Sequence, residues 1–259
     1  MSAALRYEWT RLRTLPSTWW LLGASVLVSG GVAALFAGLV DEPAGWLVPA
    51  LTAFAGQAIP LVGILTGLVG AFAIGHEHRY GTIRVTLAVL PRRGVLLVAK
   101  VLVVALWSLL VAAASLAVAY GVVVAWPGST LLDDPVADDV LRRVLVGYAL
   151  LVLIYSMIGM ALAGLLRNLP AAVVLLVTWP LVVEPILGGL TFIPALEDLR
   201  DEARFLPFGA GQQLVAVPLP GPEQNPFPVV GPWQGGAILG GLALVLLLSW
   251  AVSFRRRDA

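Results

Sequence analysis

The chain has 259 residues, of which 59% are hydrophobic and only 12% are charged, whereas soluble domains carry about 25% charged residues. Its mean hydropathy is +0.94 and long apolar runs recur over its whole length, which excludes a separate soluble domain and predicts one polytopic membrane domain over residues 1–259. A net charge of +1 indicates no nucleic-acid partner, and the lack of cysteine excludes disulfides and thiolate metal sites.

The first predicted element is a short amphipathic helix within residues 1–16. Leu5, Trp9 and Leu12 recur at positions i, i+4 and i+7 and therefore share one helical face. The basic residues of this segment are Arg6, Arg11 and Arg13. Such a helix lies in the headgroup region of a membrane, and Pro16 then turns the chain into the bilayer. Alternatively, the segment is only a basic flank that orients the first span.

Six apolar runs follow that are long enough to cross a membrane, because a spanning helix needs about 20 apolar residues. The predicted spans are residues 17–40, 47–75, 95–126, 144–166, 171–192 and 235–254. The first is too long for a secretory signal and no cleavage site follows it. Gly63, Gly67 and Gly70 would permit close helix packing in the second span.

The distribution of basic residues predicts the orientation, because Lys and Arg near helix ends resist translocation. An even number of spans places both termini on one side, and with that side inside, 12 of the 16 basic residues are cytoplasmic. Most acidic residues then fall in the opposite loops. The sequence therefore predicts a multi-pass protein of the bacterial plasma membrane with both termini in the cytoplasm.

Residues 76–94, between the second and third spans, form a basic segment that also contains a helical pattern. Gly81 and Thr82 are typical of a turn followed by a helix N-cap, and Pro91 ends the helix. Its apolar stripe consists of Ile83, Leu87 and Leu90. About two turns of helix are marginal alone in water, so this stripe must pack against the spans or another protein. The charged residues expected to remain available to a soluble partner are Glu77, Arg79 and Arg84. The alternative is a solvated connector.

The segment 193–232, between the fifth and sixth spans, is long for a connector. Leu196, Leu199 and Ala203 share a stripe opposite several acidic residues, which predicts a short surface or re-entrant helix. A second short helix is predicted after Pro207. This segment is therefore expected to form structured extracytoplasmic or re-entrant helices.

Glu184 is the one acidic residue inside an apolar run, where a charge costs about 2.5 to 3.5 kcal/mol at mid-membrane. Pro180 and Pro185 flank it and remove helix donors, which is tolerated where irregular backbone lines a cavity or packs on protein. Glu184 is therefore a candidate for a translocation path or gate. Alternatively, the span ends near Pro185 and leaves Glu184 at the outer interface. Gln57, followed by Pro60, poses the same choice in the second span.

Several kinds of site are not predicted. The chain contains no GxxxxGK[ST] loop to hold nucleotide phosphates, so ATP-driven work would need a separate subunit. The triplet of His76, Glu77 and His78 specifies too little for a metal site. No set of nucleophile, base and orienting group is visible, so neither a catalytic site nor a cofactor is expected.

The sequence EHRYGTIRVTLAVLPRRGVLLVAK, residues 77–100, resembles the segment between the second and third spans of bacterial ABC-2 type permeases, which are membrane subunits of ATP-binding-cassette exporters. The corresponding positions are Glu77, Arg79, Gly81, Thr82, Pro91, Arg92 and Lys100. The resemblance extends to the N-terminal helix, the number of spans and the large loop before the last span.

This resemblance implies an all-α permease that forms a homodimer or heterodimer, with two cytoplasmic ATPase subunits docked beneath it. It implies that residues 76–94 hold a coupling helix, whose ATPase-coupling residues are Glu77, Arg79, Gly81, Thr82, Ile83, Arg84, Leu87, Pro91 and Arg92. The interfacial helix would transmit the same motion through Leu5, Trp9, Arg11, Leu12 and Arg13. Two other functions stay open: a secondary carrier driven by protons or ions through Glu184, and a membrane sensor or anchor that transports nothing.

Overall fold

The structure is a computed structural model that describes residues 1–39, 47–79, 81, 86, 93–127, 139–216 and 229–256. Over these ranges the secondary structure is helical, and six helical segments are long and apolar enough to cross a membrane. The all-α class and the six predicted spans are thereby confirmed.

The helices follow the predicted order along the chain. Before the fifth span they are α1 (Ser2–Thr14), α2 (Pro16–Leu39), α3 (Leu47–Arg79), α4 (Arg93–Ala125) and α5 (Asp139–Leu166). The fifth span consists of α6 (Leu169–Thr178), a π-helical turn (Trp179–Val183) and α7 (Glu184–Leu190). A 3-10 helix (Pro194–Leu199), α8 (Arg200–Ala203), α9 (Pro207–Gln212) and the last span, α10 (Pro232–Arg256), complete the described elements.

α3 and α5 pack most closely at the centre of the bundle. A Cβ atom added at Gly159 would collide with the carbonyl oxygen of Gly67, and one at Gly70 would collide with that of Ser156. The backbones can approach this closely only because these positions have no side chain. The small residues of the second span therefore serve the packing of this chain.

Hydrogen bonds between spans accompany this packing. Ser108 Oγ on α4 donates to Ser156 Oγ on α5 at 2.7 Å, and Thr66 Oγ1 on α3 lies 3.4 Å from the carbonyl oxygen of Val152 on α5. In a bilayer, a hydrogen bond between helices contributes about 0.6 to 2 kcal/mol. The three central helices are thus joined by polar as well as apolar contacts.

A two-residue turn reverses the chain between α5 and α6. Arg167 takes a left-handed conformation with a φ of 51°, and the Asn168 side chain accepts a hydrogen bond from the backbone N–H of Ala171 at 3.2 Å. This cap satisfies one of the unpaired N–H groups at the start of α6. The tight turn keeps α5 and α6 adjacent.

At the opposite end of the bundle, α9 and the turn that follows it are lodged between α5 and α10. A Cβ atom at Gly235 on α10 would collide with the carbonyl oxygen of Ala210, and one at Gly147 on α5 would lie 2.7 Å from that of Leu214. The side chains of Phe208 and Leu214 are buried. The helix predicted after Pro207 is therefore present as α9, and it is inserted into the bundle.

The other predicted short surface helix is present in two pieces, and only its expected apolar stripe differs. The 3-10 helix Pro194–Leu199 and the single turn α8 occupy this region, and Leu199 remains 52% exposed. Six residues of 3-10 helix do not keep a period of 3.6, so the stripe does not form one continuous buried face.

Candidate functional site

The N-terminal helix α1 packs against α4 through more than its predicted apolar stripe. Leu12 is buried, and Leu5 and Trp9 pack against the hydrophobic core. The Trp9 ring lies edge-on to that of Trp107 on α4, with 5.9 Å between ring centroids. Glu8 shares this buried face and is only 4% exposed. An acidic side chain thus enters the interface between α1 and the bundle.

Four charged side chains meet at this point, and we call Glu8, Arg11, Glu77 and Lys100 the charge cluster. Lys100 Nζ donates to Glu8 Oε1 at 2.7 Å and to Glu77 Oε1 at 2.6 Å. Arg11 Nη1 donates to Glu77 Oε1 at 2.5 Å and lies 3.6 Å from Glu8 Oε2. Arg11 also donates to the carbonyl oxygen of Ala73 at 3.1 Å. The cluster therefore joins α1, α3 and α4.

The charge cluster is buried and its formal charges cancel. The exposed fractions of the Lys100 and Glu77 side chains are 2% and 1%, whereas that of Arg11 is 19%. Burial raises the pKa of Glu8 above 4.5, and this effect outweighs the opposing influence of Lys100 and Arg11. Buried charges of this kind persist only when they are paired, so each member of the cluster depends on the others.

The burial of Glu77 corrects one expectation from the sequence. Glu77 was expected to be available to a soluble partner, but its side chain is enclosed and bound by Arg11 and Lys100. Among the described residues, its second oxygen, Oε2, has no hydrogen-bond partner. The sequence predicted a polar residue at the surface, whereas helix packing makes Glu77 an internal contact.

Glu8 was missed as a site residue by the sequence reasoning. The signal that could have found it is its spacing from Ala4 and Leu12, which places all three on one face of α1. Lys100 entered only as a position in the family resemblance. Lys100 is the single Lys of the chain and lies near the start of an apolar span. A charge in such a position needs a carboxylate partner inside the bundle.

Most of the predicted coupling residues lie outside the described part of the chain. They are Thr82, Ile83, Arg84, Leu87, Pro91 and Arg92. Arg79 is the last residue of α3, and Gly81 follows in a turn with a φ of 65°, a conformation that favours glycine. Thr86 is buried, and its Oγ1 lies 3.4 Å from Tyr7 Oη on α1. α1 therefore contacts this loop as well as the bundle.

Two further predicted site residues, Arg13 and Gln57, lie elsewhere in the structure. Arg13 on α1 is exposed, and its carbonyl oxygen accepts a hydrogen bond from Trp19 Nε1 at 2.8 Å. Gln57 lies within α3, and its side chain is outside the described set. Neither belongs to the charge cluster.

Glu184 forms a second polar site at the other end of the bundle, and it contacts α9. Its Oε1 accepts hydrogen bonds from Trp179 Nε1 at 3.2 Å and from the backbone N–H of Phe208 at 3.0 Å. Its Oε2 accepts one from the N–H of Gly209 at 2.7 Å. Glu184 thus caps the first turn of α9, because it accepts hydrogen bonds from backbone N–H groups that have no partner within the helix. The helix of the fifth span continues past Pro185 to Leu190 and does not end there.

Replacing Glu184 with alanine is expected to loosen α9. A hydrogen bond to a charged group contributes about 1.5 to 3 kcal/mol, and this change removes three such bonds. Hydrogen exchange of the backbone amides in residues 207–216, measured by mass spectrometry, is expected to become at least tenfold faster. Trp179→Phe removes the indole donor alone and is the milder control. Unchanged protection of α9 in the alanine variant would show that Glu184 does not hold it.

The sequence model of a protein family, described as ABC-2 family transporter protein, matches residues 4–187, which is more than two thirds of the chain. This chain belongs to the ABC-2 transporter family. The resemblance seen in residues 77–100 is thereby confirmed. No curated protein matches the chain. The matched residues of this ABC-2 protein include most of α1, the whole charge cluster and Glu184, whereas α8, α9 and α10 lie beyond them.

Membership of the ABC-2 family classifies the chain as a multi-pass membrane component of an ABC transporter. The family as a whole associates with ABC ATPases, and its members are typically non-catalytic membrane subunits. The charge cluster and the Glu184 site are accordingly contacts within a transport protein.

Proposed function

We propose that this ABC-2 protein is the membrane-spanning permease subunit of an exporter driven by a separate cytoplasmic ATPase. It works as one of two permease copies in the plasma membrane, with both termini in the cytoplasm. The bias of basic residues toward one side of the spans supports this orientation. Family membership supports the ATPase partner.

The observation that carries the proposal is the position of the charge cluster at both ends of residues 78–99. Glu77 precedes this segment, Lys100 follows it, and the 2.6 Å bond between them ties its ends together. A force on the segment therefore reaches α3 and α4 at the same time. Glu8 and Arg11 attach α1 to the same point.

The charge cluster can transmit such a force because its bonds are expensive to break singly. Separating one buried partner leaves an unpaired charge, at a cost of about 3 to 5 kcal/mol. The last turn of α3, the start of α4 and α1 therefore move together. We propose that docking of the ATPase on the segment 80–92 displaces this unit and changes the packing of the spans.

The hydrogen bonds of Glu184 favour this function over an ion-driven carrier. A carrier residue must release and rebind its proton or ion during each cycle, whereas Glu184 is engaged by three donors from α9 and the fifth span. Its geometry is that of an anchor for α9. Transport that is unaltered in Glu184→Gln would agree with this role.

Replacing Glu77 with alanine is expected to uncouple ATP hydrolysis from transport. The segment 78–99 then loses the bond between its ends, so its displacement no longer moves α3 and α4 together. In proteoliposomes that contain the permease and its ATPase, hydrolysis is expected to continue while transport falls at least tenfold. Arg6→Ala alters an exposed charge of α1 outside the cluster and is expected to leave the ratio of transport to hydrolysis unchanged. Coupled transport at the normal ratio in Glu77→Ala would contradict the proposal.

The partner itself is tested by purification after gentle solubilisation. Recovery of a P-loop ATPase in stoichiometric amount is the expected result. Transport by the purified chain alone, without ATP, would contradict it and would favour a self-sufficient carrier.

A further inference from the structure

A cavity of about 420 Å³ lies between the fifth span and the inserted segment around α9. Ligand sites for small molecules usually measure about 300 to 1,000 Å³, so it can hold a polar head group of moderate size. We call it the α9 cavity. Its lining includes Pro180, Glu184, Arg200, Arg204, Gly209 and Val230. The charge cluster lies at the opposite end of the bundle and contributes nothing to it.

Charged groups of both signs line the α9 cavity. Glu184 is buried on the fifth span, whereas Arg200 and Arg204 belong to α8 and the turn after it. Arg200 donates to the carbonyl oxygen of Thr191 at 3.4 Å. The Arg204 guanidinium lies 4.8 Å from the centroid of the Phe205 ring, and the structure gives it no salt bridge within the described residues. A ligand that carries both an anionic and a cationic group can therefore pair its anion with the arginines and its cation with Glu184.

Glu184 retains one position for a further donor. A carboxylate oxygen can accept two hydrogen bonds. Oε1 already accepts two, from Trp179 and Phe208, whereas Oε2 accepts one, from Gly209. A primary ammonium group can donate to Oε2, but a quaternary ammonium has no N–H and cannot.

Exposed apolar side chains surround the α9 cavity. Phe192, which lines the cavity, is 62% exposed, and Ile186 on α7 is 55% exposed. Phe205, beside Arg204, is 46% exposed. Exposed side chains of this size, next to arginines at the end of a span, are typical of the membrane interface. A hydrocarbon chain can therefore leave the cavity along α7 without entering water.

We propose that the α9 cavity binds the head group of a membrane phospholipid that carries a phosphate and a primary ammonium group. The phosphate pairs with the guanidinium groups of Arg200 and Arg204, whose planar donor arrays match phosphate oxygens. The ammonium group donates to Glu184 Oε2, and the acyl chains lie on the exposed face of α7. This site does not depend on which substrate the protein transports.

The purified protein in detergent micelles, titrated with defined lipids and examined by native mass spectrometry, tests the proposal. Phosphatidylethanolamine is expected to bind at least tenfold more tightly than phosphatidylcholine, which has the same phosphate but no ammonium N–H. Arg204→Gln is expected to weaken phosphatidylethanolamine binding about tenfold, the value of one charge-assisted hydrogen bond. Arg142→Gln removes an exposed charge of α5 that does not line the cavity, and it is expected to bind as the unaltered protein does.

Three results would overturn the proposal. The first is equal binding of the two lipids by the unaltered protein, and the second is unchanged binding in Arg204→Gln. The third is displacement of the lipid by soluble O-phosphoethanolamine at a comparable concentration, which would assign the cavity to a free zwitterion. Glu184→Gln adds a separate measurement. This variant is expected to lose the preference for phosphatidylethanolamine over phosphatidylcholine and to keep the binding of the phosphate.

Discussion

Replacing Lys100 with methionine is expected to destabilise the protein by about 3 to 5 kcal/mol, the cost of removing one partner from a buried ion pair. Methionine fills a similar volume, so the change is mainly electrostatic. Glu8 and Glu77 then remain buried with Arg11 as their shared cation, and Arg11 is the most exposed member of the charge cluster. Unfolding of the purified variant by titration with sodium dodecyl sulfate measures the loss.

A second substitution separates charge from packing in this experiment. Glu8→Gln combined with Lys100→Met removes one charge of each sign and leaves the pair of Arg11 and Glu77. The double variant is expected to be more stable than Lys100→Met alone by about 1 to 3 kcal/mol, because Glu8→Gln removes a buried negative charge that Lys100→Met leaves without its partner. Strictly additive losses would show that Glu8 and Lys100 do not interact. An unfolding midpoint that is unchanged in Lys100→Met would show that the charge cluster contributes nothing to stability.

Replacing Gly159 with alanine is expected to force α3 and α5 apart. The added Cβ atom meets the carbonyl oxygen of Gly67, and a backbone atom cannot rotate away as the end of a side chain can. Overpacking costs about 1 to 3 kcal/mol when side chains can adjust, so we expect about 3 kcal/mol here. The measurement is the midpoint of thermal unfolding of the purified protein.

Gly121→Ala on α4 is the matched control. The structure places no atom within 4 Å of a Cβ atom at this position. Alanine has a higher helix propensity than glycine, by about 1 kcal/mol in water, so this variant is expected to be at least as stable as the unaltered protein. Equal midpoints for the two alanine variants would contradict the close contact of α3 and α5.

The elements of the fold could be predicted where a local property decides them. The predicted span 144–166 lies within α5 and ends at the same residue, because hydropathy summed over about 20 residues identifies a helix that lipid can accept. α1 ends at Thr14 and α2 begins at Pro16, because the fixed backbone angle of proline suits the first position of a helix. The stripe of α1 could be predicted because helical periodicity needs no knowledge of the partner helix.

The candidate site could be predicted only in part, for a physical reason. Glu8 and Lys100 are 92 positions apart in the sequence, and Phe208 follows Glu184 by 24. Whether such residues meet depends on how the spans pack, and no local pattern contains that distance. Glu77 was recognised as polar and placed at the surface, because a sequence shows the presence of a charge but not its burial.

The sequence by itself thus determined that the chain is a membrane protein, that it has six apolar spans, that its basic residues gather at one end of these spans and which family it resembles. These properties follow from transfer free energies and charges that nearly add up along the chain. The tertiary structure decided that Glu8, Arg11, Glu77 and Lys100 share one buried cluster and that Glu184 holds α9. Pairing decided these outcomes, because a charge removed from water is stable only where folding brings an opposite charge or a hydrogen-bond donor within about 3 Å.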